Sequence, residues 1–200
     1  MPAAIDFYFE FSSPYAYFAA ERIDALAQRH GRTVDWHPLL LGVIFKSTGV
    51  LPLTQVPLKR DYVKRDWERI SRLTGIPFAM PSVFPIASHN PARAVLFVAR
   101  SDEQAAKQLT LALYRAYYVE GRNIGEVDVV RSVAQAQGLD ADAVVEGLAD
   151  PAVKDQLKHE VGAAEARGVF GSPFVIVDGE PFWGFDRFDM LEDWLTRGGF

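Results

Sequence analysis

Residues 5–18, Ile-Asp-Phe-Tyr-Phe-Glu-Phe-Ser-Ser-Pro-Tyr-Ala-Tyr-Phe, leave the chain little freedom in how it begins to fold. Ile5, Phe7, Phe9 and Phe11 alternate with Asp6, Tyr8 and Glu10, the two-residue period of a strand with one apolar face. Ser12 and Ser13 interrupt the alternation, Pro14 follows, and apolar residues then recur at helical spacing through Leu26. A serine directly before a proline predicts a helix with Ser13 as N-cap and Pro14 as its first residue. One hydroxyl is therefore expected where a core strand meets a helix N-terminus. Free backbone N–H groups and the positive end of the helix dipole can hold an anion there. Capping alone would also account for Ser13, because serine is among the commonest N-caps.

Composition narrows the chemistry. The chain has 200 residues, 49% of them hydrophobic, ample for one domain or one domain with a large insertion. A net charge of −5, with acids and bases interspersed, argues against an electrostatic nucleic-acid binder. The absence of cysteine rules out disulfides, a thiolate nucleophile and cysteine metal sites, so any thiol must arrive on a ligand. His30, His37, His89 and His159 lack metal-ligand spacing, and no metal is expected. His89, in a loop, could line a cleft; the other three read as structural. No apolar run approaches the ~18 residues of a membrane span, and the N-terminus enters a charged strand rather than a leader. A cytoplasmic protein without a membrane partner is the expectation.

Along the chain, the first helix is predicted from Pro14 to about His30, with Gly31 as C-cap, and a second strand over Arg32–Leu39. Together these make a βαβ unit with a parallel pairing. An irregular apolar segment then runs to residue 57. A helix over 58–74 sets Tyr62, Val63, Trp67, Ile70 and Leu73 on one arc, with Lys59 and Asp66 as charged exceptions inside it. Those two read either as an ion pair or, for Lys59, as a ligand contact. A proline-marked loop, Gly75–His89, leads to a helix from Asn90. Ser101 with Gln104 reads as a capping box for a helix to about Glu120, and two shorter helices follow over 127–137 and 141–148. Asp150-Pro151 starts another helix to Arg167. After it come a strand from Phe174 to Val177, a turn at Asp178-Gly179, a returning strand with Phe182 and Trp183, and a last helix capped by Asp186.

The order β-α-β, helical block, α-β-β-α predicts an α/β fold: a thioredoxin-like four-stranded mixed sheet with a large all-helical insertion. Residues 1–41 and 150–200 would form the thioredoxin-like domain, and 42–149 the insertion. Ligands in such units bind beyond the carboxyl ends of the strands, where Ser13 stands. Gly171-Ser172-Pro173 is the other loop expected there. In this fold the proline at that point is cis, which leaves the preceding backbone free to pair with a bound peptide.

Four motifs then occur in order along nearly the whole chain: F-x-F-x-S-P-Y ending at Tyr15, K-x-x-Y-x-x-x-D over Lys59, Tyr62 and Asp66, G-x-P at Gly171–Pro173, and W-G-x-D-R from Trp183. Ser13-Pro14-Tyr15-Ala16 occupies the place of the Cys-Pro-Tyr-Cys motif of disulfide oxidoreductases, without either cysteine. The set resembles the 2-hydroxychromene-2-carboxylate isomerases and the related kappa-class glutathione transferases. The resemblance implies glutathione as cofactor, with the Ser13 hydroxyl donating to its sulfur and lowering the thiol pKa. It further implies backbone pairing at Ser172 before Pro173, Lys59 on the glycyl carboxylate, and Asp186 on the γ-glutamyl ammonium. Phe185 stands where relatives often carry Ser or Asn, and Val50 where many carry Asn, so two side-chain contacts would be missing. The implied reaction is isomerisation of a small aromatic carboxylate: the thiolate adds to the conjugated system, the bond rotates, and elimination returns glutathione. Tyr15, Lys46 and Trp183 are candidates for the substrate pocket, and a homodimer is the family's assembly. The competing expectations are a kappa-like transferase, which would release a stable conjugate, and a non-catalytic thioredoxin-like binding module.

Overall fold

The computed structural model describes residues 3–200. The expected mixed sheet lies at its centre. Its strands are β1 (Ile5–Phe9), β2 (Val34–Pro38), β3 (Phe174–Val177) and β4 (Glu180–Trp183), in the order β2-β1-β3-β4. β1 runs parallel to β2 and antiparallel to β3, with Phe7 opposite Trp36 on one side and Val175 on the other. β1 is thus an interior strand covered on both faces. Tyr8 and Glu10 are buried along with Phe7 and Phe9, so the alternation does not divide a core face from a solvent face. Only Asp6 of the polar set is partly open, and it pairs with Arg167 and His37.

The helices are α1 (Pro14–Ala20), α2 (Ile23–Arg29), α3 (Leu41–Thr48), α4 (Lys59–Thr74) and α5 (His89–Ala99). They continue as α6 (Glu103–Tyr118), α7 (Val127–Ala136), α8 (Ala141–Ala149), α9 (Pro151–Ala166) and α10 (Phe188–Arg197). One cluster of buried side chains runs from β1 through α1, α5 and α6 to β3 and α10.

Several local expectations are corrected. The single helix from Pro14 to His30 is two helices, broken at Glu21-Arg22. Glu and Arg are good helix formers, so propensity gives no warning. The break has tertiary anchors: the Glu21 carboxylate takes two hydrogen bonds from Arg115 of α6, and the Arg22 guanidinium lies 5.5 Å from the Phe185 ring centroid. The segment after Leu41 is helical where an irregular stretch was expected; α3 buries Ile44 and ends on Gly49 in the left-handed conformation. On α4 only Val63 and Trp67 are buried, while Tyr62 and Leu73 face solvent, because the helix is covered along a narrow line. α6 is capped by Asp102, whose carboxylate accepts the Ala105 N–H at 2.9 Å; Ser101 instead donates to Val98 O. Asp186 does not cap α10 either. It lies in a 3-10 turn, Phe185–Arg187, that precedes the helix.

Candidate active site

Ser13 holds extended backbone angles as N-cap of α1, and its Oγ accepts the Ala16 N–H at 3.2 Å. Its hydroxyl hydrogen is donated across the site to the Ser172 carbonyl oxygen, at 2.8 Å. The Ser172–Pro173 bond is cis, and both serines are nearly buried, Ser13 at 6% and Ser172 at 9% exposure. The geometry thus brings Ser13 together with Ser172, 159 positions away, and with Pro173 beside it. Ser172 Oγ is buried and has no hydrogen-bond partner among the described residues. A buried hydroxyl left this way costs about 1–3 kcal/mol, which makes it a natural donor for a ligand. Gly171 is required next to it: a Cβ there would collide with the Trp183 indole nitrogen.

The neighbouring serine is not spare. The Ser12 hydroxyl donates to Ile86 O at 3.3 Å and accepts the Ile86 N–H at 3.2 Å, tying the turn to the loop that follows α4. Four tyrosines pin the same two segments. Tyr114 and Tyr118 of α6 donate to the carbonyls of Glu10 and Phe11, at 3.0 and 2.9 Å. Tyr117 donates to Val83 O at 2.8 Å, and Tyr17 of α1 to Pro77 O at 2.9 Å. Burial raises the pKa of every one of these phenols, so they stay protonated and able to donate.

Directly under the Ser12-Ser13 turn lies Glu10, 3% exposed. Its carboxylate accepts the Ser12 N–H at 2.7 Å, and its backbone carbonyl accepts the Ser13 N–H at 3.0 Å. Burial pushes its pKa up to about 7, against the opposing pull of hydrogen bonds from the Ser88 hydroxyl and the Ser12 N–H. The alternation of β1 hid this residue, since it placed Glu10 on a solvent face. The available signal was an acid three positions before the serine, on a strand destined for the sheet interior.

Tyr15 faces α4. Its hydroxyl donates to Asp66 Oδ2 at 2.9 Å, and its ring meets Trp67 edge-on with centroids 6.0 Å apart. Burial, the Asp66 bond and the nearby charges, Asp186 among them, all raise its pKa. Asp66 therefore pairs with Tyr15 and Arg69 rather than with Lys59. Lys59 opens α4, exposed, with no ion pair among the described residues. The Asp186 side chain is 73% exposed and 3.5 Å from Arg187. Gly184 turns the chain into that segment at φ +105, where a Cβ would strike Asp186. Phe185 is buried against Phe18 and Phe188. Trp183 is half-exposed and packs on Phe170. Lys46 and Val50 are exposed, and α3, which carries Lys46, packs on α9. Among the described residues no hydrogen bond or ion pair links Lys46 to the Ser13 turn. A cleft of ≈ 510 Å³ opens between Arg60, Asp61 and Lys64 on one side and Met80, Phe84 and Pro85 on the other, with Arg60 3.9 Å from Asp61. Ser13 does not line it. Phe84-Pro85 nevertheless leads straight into Ile86, which is bonded twice to Ser12. No group of acids and histidines suited to a metal ion occurs among the described residues, and none of the described helices is long and apolar enough to cross a membrane.

Residues 4–196 match the DSBA-like thioredoxin domain family. A 2-hydroxychromene-2-carboxylate isomerase of Sphingobium xenophagum is 32% identical over 201 residues, covering 98% of this chain and 99% of its own. Glutathione S-transferase kappa 1 of Rattus norvegicus is 24% identical, covering 97% and 93%. Among solved structures, a 2-hydroxychromene-2-carboxylate isomerase superposes with a TM-score of 0.89 at 28% identity, over 97% of this chain and 95% of that one. With a serine in place of the first cysteine of the redox motif, a cis-proline opposite it, and relatives of matching length throughout, the chain belongs to the DSBA-like thioredoxin-domain family and, within it, to the 2-hydroxychromene-2-carboxylate isomerase group.

Proposed function

We propose that this protein is a glutathione-dependent cis–trans isomerase of an unsaturated aromatic carboxylate, of the type that interconverts 2-hydroxychromene-2-carboxylate and trans-o-hydroxybenzylidenepyruvate. The observation that carries the reading is the Ser13 hydroxyl, held at a helix N-terminus and hydrogen-bonded to the carbonyl before a cis-proline, in a chain without cysteine. Glutathione fits this end of the molecule, because Ser172 Oγ is a buried donor with nothing to donate to. When bound, glutathione supplies a nucleophilic thiolate whose reversible addition lets a conjugated double bond rotate.

The protein's part is to stabilise that charge and orient its bearer. The Ser13 hydroxyl has one hydrogen, which rests on Ser172 O in the free protein. Turning it toward a thiolate releases the Ser172 carbonyl to accept an amide N–H from the ligand, so one rotation readies two contacts. The Tyr15 N–H in the first turn of α1 and the helix dipole favour the anion and lower its pKa. On this reading Lys59, exposed at the start of α4, takes a carboxylate of the ligand and the exposed Asp186 its ammonium. The aromatic substrate would enter beside the Met80–Pro85 segment, with its carboxylate toward Arg60 and Lys64, whose cleft those residues wall.

Turnover of 2-hydroxychromene-2-carboxylate followed by absorbance, with and without glutathione, tests the proposal. Activity should require glutathione and fall about 100-fold in Ser13→Ala, the usual scale for losing one donor to a developing anion. Full activity without glutathione would sink the reading. A persistent glutathione adduct seen by mass spectrometry would replace it with a kappa-type transferase.

A further inference from the structure

Glu10 has no part in the chemistry described so far, yet it is the ionisable group built most tightly into the Ser13 turn. Its carboxylate grips the Ser12 N–H at 2.7 Å, one residue from the nucleophile-binding hydroxyl, and its carbonyl receives the Ser13 N–H at 3.0 Å. Water is excluded at 3% exposure. The groups that face it are all neutral or hydrogen-bonding. Ser88, immediately before α5, offers a hydroxyl, and α6 presents Tyr114, Tyr117 and Tyr118, whose phenols are each pushed up partly by the Glu10 charge. No cation pairs with it among the described residues. A carboxylate without a counter-charge, buried beside a site built to hold another anion, cannot keep its own charge cheaply when the second arrives.

On the reading that glutathione binds at Ser13, we infer that Glu10 is a positioning residue that holds the Ser12-Ser13 turn and takes up a proton when a thiolate occupies the site. The proton comes from solvent, and no bond to the ligand is made. The coupling is reciprocal: ionised Glu10 opposes the thiolate, and protonated Glu10 tolerates it. Burial places the switch in the working range, with the pKa of Glu10 at about 7 in the free protein. Glu10→Gln keeps an acceptor for the Ser12 N–H and removes the titration.

Calorimetric titration of glutathione in two buffers of different ionisation enthalpy counts the protons exchanged on binding. Near about pH 8, where both Glu10 and free thiol titrate, Glu10→Gln should release more protons than the wild type, by a sizeable fraction of one. Near about pH 5 the difference should vanish, because Glu10 is already protonated. The bound thiol should also titrate about one pH unit lower in Glu10→Gln. A residue that merely held the turn in shape would alter affinity without changing the proton count. Equal counts at both pH values would overturn the inference while leaving glutathione binding intact, whereas no binding to the wild type would remove both readings at once. Should Glu10→Gln fold poorly, carboxyl NMR of the wild type decides the matter. The Glu10 midpoint should rise on adding glutathione and stay in place with S-methylglutathione, and an unmoved midpoint with both overturns the inference.

Discussion

Ser172 carries two polar groups in opposite circumstances. Its carbonyl is taken by the Ser13 hydroxyl, and its own hydroxyl is buried with no partner among the described residues. If that hydroxyl exists only for the fold, removing it should simply relieve an unsatisfied group. If it serves the ligand, stability and binding should move in opposite directions. Ser172→Ala is therefore expected to keep or raise thermal stability, since an orphaned buried hydroxyl costs about 1–3 kcal/mol. The same change should weaken glutathione binding about 10- to 150-fold, the scale of a hydrogen bond to a charged group. Unchanged affinity measured by calorimetry would assign the hydroxyl to neither role. Ser13 differs at this same scale, because its Oγ also caps α1 and its loss touches the helix as well as the ligand.

At the scale of elements, α6 acts as the buttress that fixes where β1 ends. Its tyrosines reach the carbonyls of Glu10 and Phe11 just beyond the strand, and a third reaches Val83 in the facing loop. Tyr118→Phe keeps the ring stack and deletes one donor, leaving Phe11 O buried without its partner. A loss of about 1–3 kcal/mol in denaturant unfolding is expected, and glutathione affinity should drop with it as the turn loosens. A stability unchanged from the wild type would show that the Phe11 carbonyl finds another donor. Much at this scale was legible in the residues themselves. The strand β3, the Ser13-Pro14 helix start, the Asp150 cap and the ends of α4 follow from local signals that act within a few positions. What escaped depends on partners far along the chain. The α1–α2 break is set by Arg115 and Phe185, the burial of Glu10 by Tyr114 of α6 and Ser88 before α5, and the Tyr15–Asp66 bond by how α4 crosses α1. The same holds at the site, where motif order named Ser13, Ser172 and Pro173, while no periodicity could single out the acid beneath them.

Across the whole molecule, two ionisable clusters, one around His37 and one at Glu10, erode stability as pH rises above about 5. In the first, His37 lies between Asp6, at 3.0 Å, and Glu160, at 3.2 Å, with Arg167 also on Asp6 at 2.7 Å. Burial pulls the His37 pKa down, but hydrogen bonds and charges from Glu160 and Asp6 outweigh it and raise it. Its stabilisation is therefore complete below the unfolded value near about 6.5 and is lost as pH rises through the raised folded value. Glu160, through its bond to His37, and Asp6, where Arg167 and His37 overcome burial, have lowered pKa values; their contribution is present above about pH 4 and lost as pH falls. In the second, burial pushes the pKa of Glu10 up to about 7 from an ordinary 4.5, so the folded state holds its proton more tightly than the unfolded chain. That stabilisation is whole below 4.5 and disappears as pH climbs to about 7, a swing on the order of 3 kcal/mol. Both clusters thus erode stability between about pH 5 and pH 8, and thermal unfolding should show Tm highest near about pH 5 and several degrees lower at pH 8. Glu10→Gln should be more stable than the wild type at the alkaline end, with the gap closing toward about pH 5, while the His37 share of the slope persists. Parallel Tm curves for the two proteins across that range would mean that Glu10 ionises without cost where it is buried.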